Sequence, residues 1–265
     1  MTARAMFRAS LELGGLTLPL KFYAAVESSS GVHFRLLHAE DGVPVKQRLV
    51  DPDTGEVVPP EQYQRAFLAQ AENFVVLTDE DRAALEPAGS RTIETLRVLS
   101  EGSINHQWYV RPYYLGPDGG PGITEHYFVL VEALSQAHLE VLVEWVMRKR
   151  EYYGVLRAEG SHLMLHALRH TGEVIDASAL PHPTGRKLDK KELEMAGKLV
   201  EMLAGDFDAE AFEDAYQARL LDFVEKKAHG QVSKLGKPKR KRDATDSLGQ
   251  LLSASLKQAR SKRVA

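Results

Sequence analysis

Three histidines spaced four residues apart are the candidates for metal chemistry in the sequence. On a helix, His162, His166 and His170 would lie on one face, where their imidazoles could bind zinc. The segment alternates between apolar and polar residues, however, which is typical of a strand, and Met164 and Leu168 then share the side of the histidines. We therefore expect neither a metal nor another cofactor. A metal-dependent hydrolase that uses these three histidines is kept as an alternative hypothesis.

Clusters of cations suggest a second chemistry, which is contact with phosphate. Arg148, Lys149 and Arg150 end a strongly apolar strand segment, and Lys46 and Arg48 flank a predicted hairpin. Cations on rigid elements can contact phosphate oxygens without the geometry that reads bases. The same residues could equally be solvated strand ends, and periodicity alone does not decide between these two interpretations.

Motifs that define the common enzyme classes are absent from the sequence. It contains no phosphate-binding P-loop, no His-Glu-x-x-His zinc motif, no Gly-x-Ser-x-Gly nucleophile and no dinucleotide-binding glycine pattern. The glycine-rich segment 116–122 looks like a phosphate loop, but its prolines Pro117 and Pro121 have no amide hydrogen to donate. We expect an ordinary turn there, and a protein that is not an enzyme.

The charge of the chain is divided unevenly along its length. The 265 residues contain 34 Lys and Arg and 37 Asp and Glu, a net charge of −3. From Lys226 to the end there are 12 basic and 2 acidic residues, a net of +10, which leaves 22 basic and 35 acidic residues, a net of −13, before Lys226. An acidic body with a basic arm is typical of proteins that meet nucleic acid, anionic lipid or an acidic partner.

The sequence contains no cysteine, which excludes disulfides, thiolate zinc sites, iron–sulfur clusters and a cysteine nucleophile. Glu12, Gly14, Gly15 and Pro19 interrupt the start of the chain, so that it does not form a signal peptide. No segment approaches the roughly 18 apolar residues that a membrane span requires. We expect a soluble cytoplasmic protein.

Alternating apolar residues predict many short strands in the first two-thirds of the chain, which favours a barrel or a sandwich. The predicted strands are residues 16–23, 32–36, 74–77, 92–99, 139–148 and 163–169. Residues 45–58 are predicted to form a hairpin around the turn Asp51-Pro52-Asp53-Thr54-Gly55.

Two helices are predicted among these strands. A capping sequence that starts at Thr78 begins a short helix through Leu85, and a second helix follows segment 116–122 and contains Ile123 and Leu134.

After residue 183 the apolar pattern becomes helical. Asp189 is predicted to cap one amphipathic helix that ends at Gly205, and Asp208 a second that ends near Gly230.

Residues 231–265 are predicted to be a basic and largely disordered tail, because they are rich in Lys, Arg, Gly and Pro. Its candidate nucleic-acid contacts are Lys237, Lys239, Arg240, Lys241 and Arg242. A last amphipathic segment is too short to hold a helix alone in water, so we expect it to fold on a partner. Its candidate partner contacts are Leu248, Leu251, Leu252 and Leu256.

Several motifs, taken in order, resemble those of the bacterial Ku family of DNA-end-binding proteins. They are Ala3–Leu11 with Leu18–Tyr23, Phe74–Asp81, Ser90–Glu94, Arg111–Asp118, Glu194–Ala196, Asp206–Asp208 and Tyr216–Leu221. The resemblance covers nearly the whole chain, and the order of the motifs is more specific than any one of them.

The resemblance implies a mainly β protein with α-helices, of the α+β class. A Ku-type β-barrel core would occupy residues 1–185, with a bridge insertion at about 44–94, and a helical arm (186–230) and the basic tail (231–265) would follow. Two copies would close a ring around double-stranded DNA, because one subunit cannot encircle a duplex. A closed ring loads only from a free end, so it would bind DNA ends without reading their sequence.

The resemblance also implies partners and roles. Lys46, Arg48, Arg65 and Arg91 would contact phosphates from the bridge, and residues 148–150 from a strand end that lines the ring. The homodimer would act in non-homologous end joining on the bacterial nucleoid, and the last leucine segment would recruit an ATP-dependent end-joining DNA ligase.

The chain departs from the family pattern at the hairpin around residues 51–54. Many relatives carry a Cys-x-x-Cys pair where this chain has Asp51-Pro52-Asp53-Thr54, so we expect no metal or redox role at that hairpin.

A protein of another class, a scaffold that binds nucleic acid only through residues after Gly230, would share the same basic tail.

Overall fold

The computed structural model describes residues 4–27, 32–70, 73–181, 185 and 189–230. The chain divides into two compact units. Of the described residues, the first unit contains 4–27, 35–70 and 73–179, and the second contains 32–34, 180–181, 185 and 189–230.

The first unit is built around a closed barrel of seven strands. The strands of this unit are β1 (Phe7–Leu13), β2 (Leu16–Ala24), β3 (Arg65–Gln70), β4 (Asn73–Leu77), β5 (Thr92–Ser100), β6 (Tyr109–Pro117), β7 (Leu139–Met147), β8 (Arg150–Glu159) and β9 (His162–Leu168). The order around the barrel is β1-β2-β6-β9-β8-β7-β5, while β3 and β4 form a separate two-stranded sheet. Parallel pairing of β1 with β5, which places Leu11 beside Ile93, closes the barrel.

The barrel interior is filled by the apolar residues that alternate along its strands. Leu18, Leu20 and Phe22 of β2 are fully buried, and so are Val141 and Val143 of β7. Period-two alternation places these side chains on one face of each strand, and closure turns that face inward. The predicted strands 16–23, 74–77, 92–99 and 163–169 are confirmed to within a residue or two at each end.

A long helix, α2 (Pro121–Ala137), packs on the barrel. The residues on its buried face are Tyr127, Leu130, Val131 and Leu134. The helix begins at Pro121, inside the glycine-rich segment, because proline suits the first turn of a helix, where its missing N–H is not needed. The prediction of a turn followed by a helix is confirmed.

The segment between β2 and β5 is an insertion whose described residues are all at least partly exposed. It contains the β3–β4 hairpin and a short helix, α1 (Asp79–Leu85). The predicted capping box is confirmed, since the Asp81 N–H donates to Thr78 Oγ1 over 3.0 Å and the Thr78 N–H donates to Asp81 Oδ2 over 3.0 Å.

One strand prediction in this insertion is wrong, because residues 32–36 form no strand. The predicted hairpin at residues 45–58 is present in a short form: Val50 and Val57 form an antiparallel bridge, the Asp51 N–H donates to the Glu56 carbonyl, and the Val58 N–H donates to the Leu49 carbonyl. The reversal itself is present, because the Asp51 carboxylate accepts hydrogen bonds from the N–H groups of Asp53 and Thr54. A strand needs a neighbour along its length, and in the described insertion only β3 and β4 have one.

The second unit contains two helices, α3 (Lys190–Leu203) and α4 (Ala215–Ala228). Asp189 caps α3 as predicted, and its carboxylate accepts a hydrogen bond from the Lys191 N–H. The predicted role of Asp208 is wrong, because it caps only a short 3-10 turn, and α4 starts after Asp214. No helix in the described part of the chain is long and apolar enough to cross a membrane.

Candidate nucleic-acid interface

Three exposed cations lie at the turn between β7 and β8. The pair Met147 and Arg150 closes the ladder, so that Arg148 and Lys149 are the two turn residues. The predicted strand 139–148 is confirmed to within one residue, because β7 ends at Met147. The reversal gathers three side chains at one hairpin tip, where a continuous strand would have pointed them alternately to opposite faces.

The backbone of this turn is strained. Arg148 has φ 52° and Lys149 has φ 66°, both in the left-handed region. The two-residue turn between β1 and β2 has the same signs but uses Gly14 and Gly15, which adopt them without steric cost. Left-handed backbone costs a residue with a side chain about 1–2 kcal/mol. The tip thus carries two cations where glycine or asparagine would be more stable.

The strands below the turn hold it rigidly. Trp145 of β7 stacks on Tyr152 of β8, with ring centroids 5.3 Å apart and an interplanar angle of 17°. The two residues are directly opposite in the ladder. Gly154, further along β8, leaves room for the indole, because a side chain there would collide with it.

One of the three cations is paired. Lys149 Nζ lies 2.8 Å from Glu86 Oε2, and Glu86 directly follows α1 in the insertion. In the part of the chain that the structure describes, Arg148 and Arg150 have no ion pair. The tip therefore presents two unpaired guanidinium groups and one ammonium group that shares its charge with a carboxylate.

A cavity of about 330 Å³ lies between this hairpin and residues 87–94. Its walls include the carboxylates of Glu94, Glu144 and Glu151, and Glu94 is directly opposite Glu144 in the β5–β7 ladder. The cations of the tip are thus bordered by a negatively charged wall, which limits how far phosphate can approach on that side.

Arg91 is exposed at the point where the insertion returns to the barrel. Its carbonyl accepts a hydrogen bond of 2.7 Å from the Ser10 N–H, so that the backbone of Arg91 is fixed beside β1. Lys46 and Arg48 are also exposed, but they lie between two isolated bridges and outside any strand.

Arg65 begins β3 and is exposed opposite Leu77. It lines a hollow of about 420 Å³ together with Arg82 of α1, which sequence reasoning did not select. Arg82 is held by Asp79, with 3.1 Å between Nη1 and Oδ1. No sequence motif distinguished Arg82, because its proximity to Arg65 depends on how the insertion folds.

The remaining predicted contacts fall outside the described residues. They are the tail cations Lys237, Lys239, Arg240, Lys241 and Arg242 and the leucines Leu248, Leu251, Leu252 and Leu256.

The histidine row does not form a metal site. His162 and His166 lie in strand β9, where four residues span about 13 Å, and His170 follows the strand at a similar interval. Their rings instead contact Tyr114, Tyr109 and Tyr153 in turn. In the described residues no group of three or more histidines, aspartates or glutamates could hold a metal ion. The hydrolase alternative is therefore wrong, because the three histidines lie too far apart to bind one metal ion.

Two ionisable groups of the barrel, Glu140 of β7 and His166 of β9, have shifted pKa values, and the charge of Arg157 acts on both. Glu140 alternates with the inward-facing Val141, yet it is fully buried, and burial raises the pKa of its carboxyl. Burial, reinforced by the charge of Arg157, lowers the pKa of His166. Among the described residues, neither Glu140 Oε2 nor His166 Nε2 has a hydrogen-bond partner.

The closed barrel, its inserted hairpin and its exposed tip of cations define a β-barrel protein of the Ku type. The sequence pattern of the Ku70/Ku80 beta-barrel domain matches residues 12–195. The chain belongs to the Ku family.

Curated bacterial relatives resemble the chain over most of its length. It is 30% identical to "Non-homologous end joining protein Ku 2" of Geotalea uraniireducens, over 97% of this chain and 99% of that protein. It is 29% identical to "Non-homologous end joining protein Ku" of Koribacter versatilis, over 99% and 90%. The protein of the same name in Pseudomonas aeruginosa is 31% identical, over 85% and 77%.

Proposed function

We propose that this protein binds the ends of double-stranded DNA as a homodimeric ring and acts without catalysis in non-homologous end joining. The relatives named above carry that process in their names. The observation that carries the proposal is the β7–β8 tip, where a strained and rigid turn presents Arg148, Lys149 and Arg150 to solvent. Backbone strain that persists in a folded protein is often a sign of function.

The tip suits phosphate and not bases. Guanidinium groups on a short, rigid turn can donate to phosphate oxygens, which are the same at every base pair. Reading bases requires a helix or ribbon that enters a groove. Arg91, Arg65, Lys46 and Arg48 would add further phosphate contacts from the insertion, and binding would be independent of sequence.

The exposed apolar surface of the insertion supports the homodimer. Phe67 of β3 and Val75 of β4 are directly opposite in the ladder and share one face of the two-stranded sheet, where they are 65% and 45% exposed. Isolated two-stranded sheets are marginally stable in water, and contiguous exposed apolar surface commonly marks an interface. In the proposed ring, the second subunit would cover this sheet, and the two insertions together would form the bridge over the duplex.

Threading explains how such a ring would select a break. A closed ring can load only where the duplex ends, so recognition would be topological and would need no special chemistry at the end itself. The acidic body, with a net charge of −13 before Lys226, would discourage side-on binding to intact duplex. The basic tail would supply the initial attraction, and the leucine segment 248–256 would recruit the ATP-dependent ligase.

A comparison of linear with covalently closed circular DNA tests the proposal. The full-length protein should bind a linear duplex and should fail to bind the same sequence as a relaxed closed circle in competition. Cutting that circle once should restore binding, which controls for sequence and length. Equal affinity for the closed circle and the linear form would overturn threading.

The basic-tailed scaffold is the competing proposal, and deletion of residues 231–265 separates the two. In the ring proposal, the truncated protein keeps its preference for linear duplex but binds less tightly. Complete loss of binding to linear duplex, by a protein whose circular dichroism is unchanged, would favour the scaffold.

A further inference from the structure

We propose that Glu86 sets the phosphate affinity of the β7–β8 tip by holding Lys149 as a substitute for phosphate. This inference rests on the proposed function, because it concerns the site that would meet DNA. Glu86 Oε2 lies 2.8 Å from Lys149 Nζ. A phosphate oxygen that binds this ammonium would stand at a comparable distance and make the same charge-assisted hydrogen bond.

The two partners differ in exposure. The Lys149 side chain is 73% exposed, and that of Glu86 is 30% exposed. The ammonium can therefore be reached from solvent while the carboxylate is partly shielded by its surroundings. A duplex that arrives at the tip meets Lys149 on its open side, and must draw it away from a carboxylate that stays in place.

Local structure fixes Glu86. It follows the last residue of α1 with extended backbone, its N–H donates to the Ala83 carbonyl, and Pro87 restricts the chain after it. The capping box at Thr78 fixes the other end of the same helix. The carboxylate is thus held by the insertion and the ammonium by the barrel, so that the ion pair joins the two.

The pair makes the three cations of the tip unequal. Arg148 and Arg150, which have no ion pair among the described residues, are free to bind phosphate. Lys149 must exchange its carboxylate partner for phosphate, so it contributes only the difference between the two interaction free energies. A duplex that satisfies both arginines keeps phosphate near Lys149 long enough to exchange. A phosphate that contacts the tip without engaging both arginines does not stay near Lys149 long enough to exchange. Glu86 therefore weakens such partial contacts more than it weakens a contact that engages all three cations.

A double-mutant cycle on the full-length protein tests this role, with fluorescence anisotropy of a labelled linear duplex at fixed salt. Glu86→Gln should tighten binding about two- to five-fold, which is the range expected for an exposed ion pair. Lys149→Met should weaken binding. In the Lys149→Met background, Glu86→Gln should have no further effect, because the two residues act through each other.

Glu80→Gln is the matched control, since Glu80 is an exposed carboxylate of α1 that has no ion pair in the described part of the chain. It should change affinity less than Glu86→Gln does. An equal gain from both changes, or a Glu86→Gln gain that persists in the Lys149→Met background, would mean that removal of any nearby negative charge is sufficient and would overturn the inference.

A further variant distinguishes failure of this inference from failure of the proposed site. If Arg148→Gln with Arg150→Gln weakens binding but Glu86→Gln does not change it, the tip contacts DNA and only the role of Glu86 is refuted. If the arginine variant binds like the original protein, the tip does not contact DNA, and both proposals for it fail.

Discussion

The Leu163 N–H donates a hydrogen bond of 2.8 Å to the hydroxyl of Tyr127, which joins the start of β9 to helix α2. The same hydroxyl donates to the Leu115 carbonyl of β6 over 2.6 Å. Tyr127 is buried, and burial raises the pKa of its phenol, so the hydroxyl stays protonated and can serve both strands. One side chain thus ties α2 to two neighbouring strands of the barrel.

Removal of this hydroxyl should destabilise the barrel without any change of shape. Tyr127→Phe leaves a buried N–H and a buried carbonyl without their shared partner, which should lower the free energy of unfolding by about 1–3 kcal/mol. Urea denaturation measures this change in the free energy of unfolding. Tyr153→Phe, at a partly exposed ring on β8, is the control and should cost much less. A Tyr127→Phe variant as stable as the original would show that water replaces the hydroxyl.

Gly154 is predicted to tolerate no side chain. An alanine Cβ would lie 2.7 Å from the Trp145 ring and 2.8 Å from the backbone oxygen of His166, and the backbone oxygen cannot move away alone. Gly154→Ala should therefore lower the free energy of unfolding by about 1–3 kcal/mol. Gly197→Ala in α3, where nothing lies within 4 Å, is the matched control and should be neutral or stabilising.

A more favourable turn sequence should make the protein more stable and a weaker DNA binder. Replacing Arg148 by Asn and Lys149 by Gly relieves the left-handed strain, so the free energy of unfolding should rise by about 1–2 kcal/mol. Loss of the two proposed phosphate contacts should weaken binding to linear duplex and reduce the salt slope by about 2. A rise in stability together with a fall in affinity would support the proposed role of the tip. Unchanged affinity would exclude the tip as a DNA contact.

Charge in the exposed β3–β4 sheet should dissociate the proposed dimer. Phe67→Asp with Val75→Asp, a pair on one face of the sheet, should shift the protein to monomer in sedimentation velocity, because the interface would bury two carboxylates. Val129→Asp, on the exposed face of α2, controls for the effect of surface charge and should leave the dimer intact. A dimer that survives the double change would place the interface elsewhere.

Stability should fall as the pH decreases below the ordinary histidine pKa of 6.5, through His166. Because its pKa is lowered in the folded state, the unfolded chain binds the proton first, so that acid favours unfolding between 6.5 and the folded-state pKa. His166→Gln should flatten this part of the profile, measured by urea unfolding at several pH values. A His166→Gln profile identical to that of the original protein would contradict this prediction.

Periodicity predicted what depends on neighbours in sequence. The strands at residues 16–23 and 92–99, the capping box at Thr78 and the helix that Asp189 begins all rest on local patterns, and the structure contains them. The division between an acidic body and a basic tail, and the ordered motifs of the Ku family, were equally visible without coordinates.

Only the tertiary structure decided which distant residues meet. Alternation places Glu140 on the outer face of β7, yet it is fully buried, and Lys149 pairs with Glu86 across the boundary between barrel and insertion. Arg148 and Lys149 became a turn because β8 pairs back on β7 at Arg150. Such contacts depend on strand register and barrel closure, which bring together residues far apart in the chain and which no local pattern encodes.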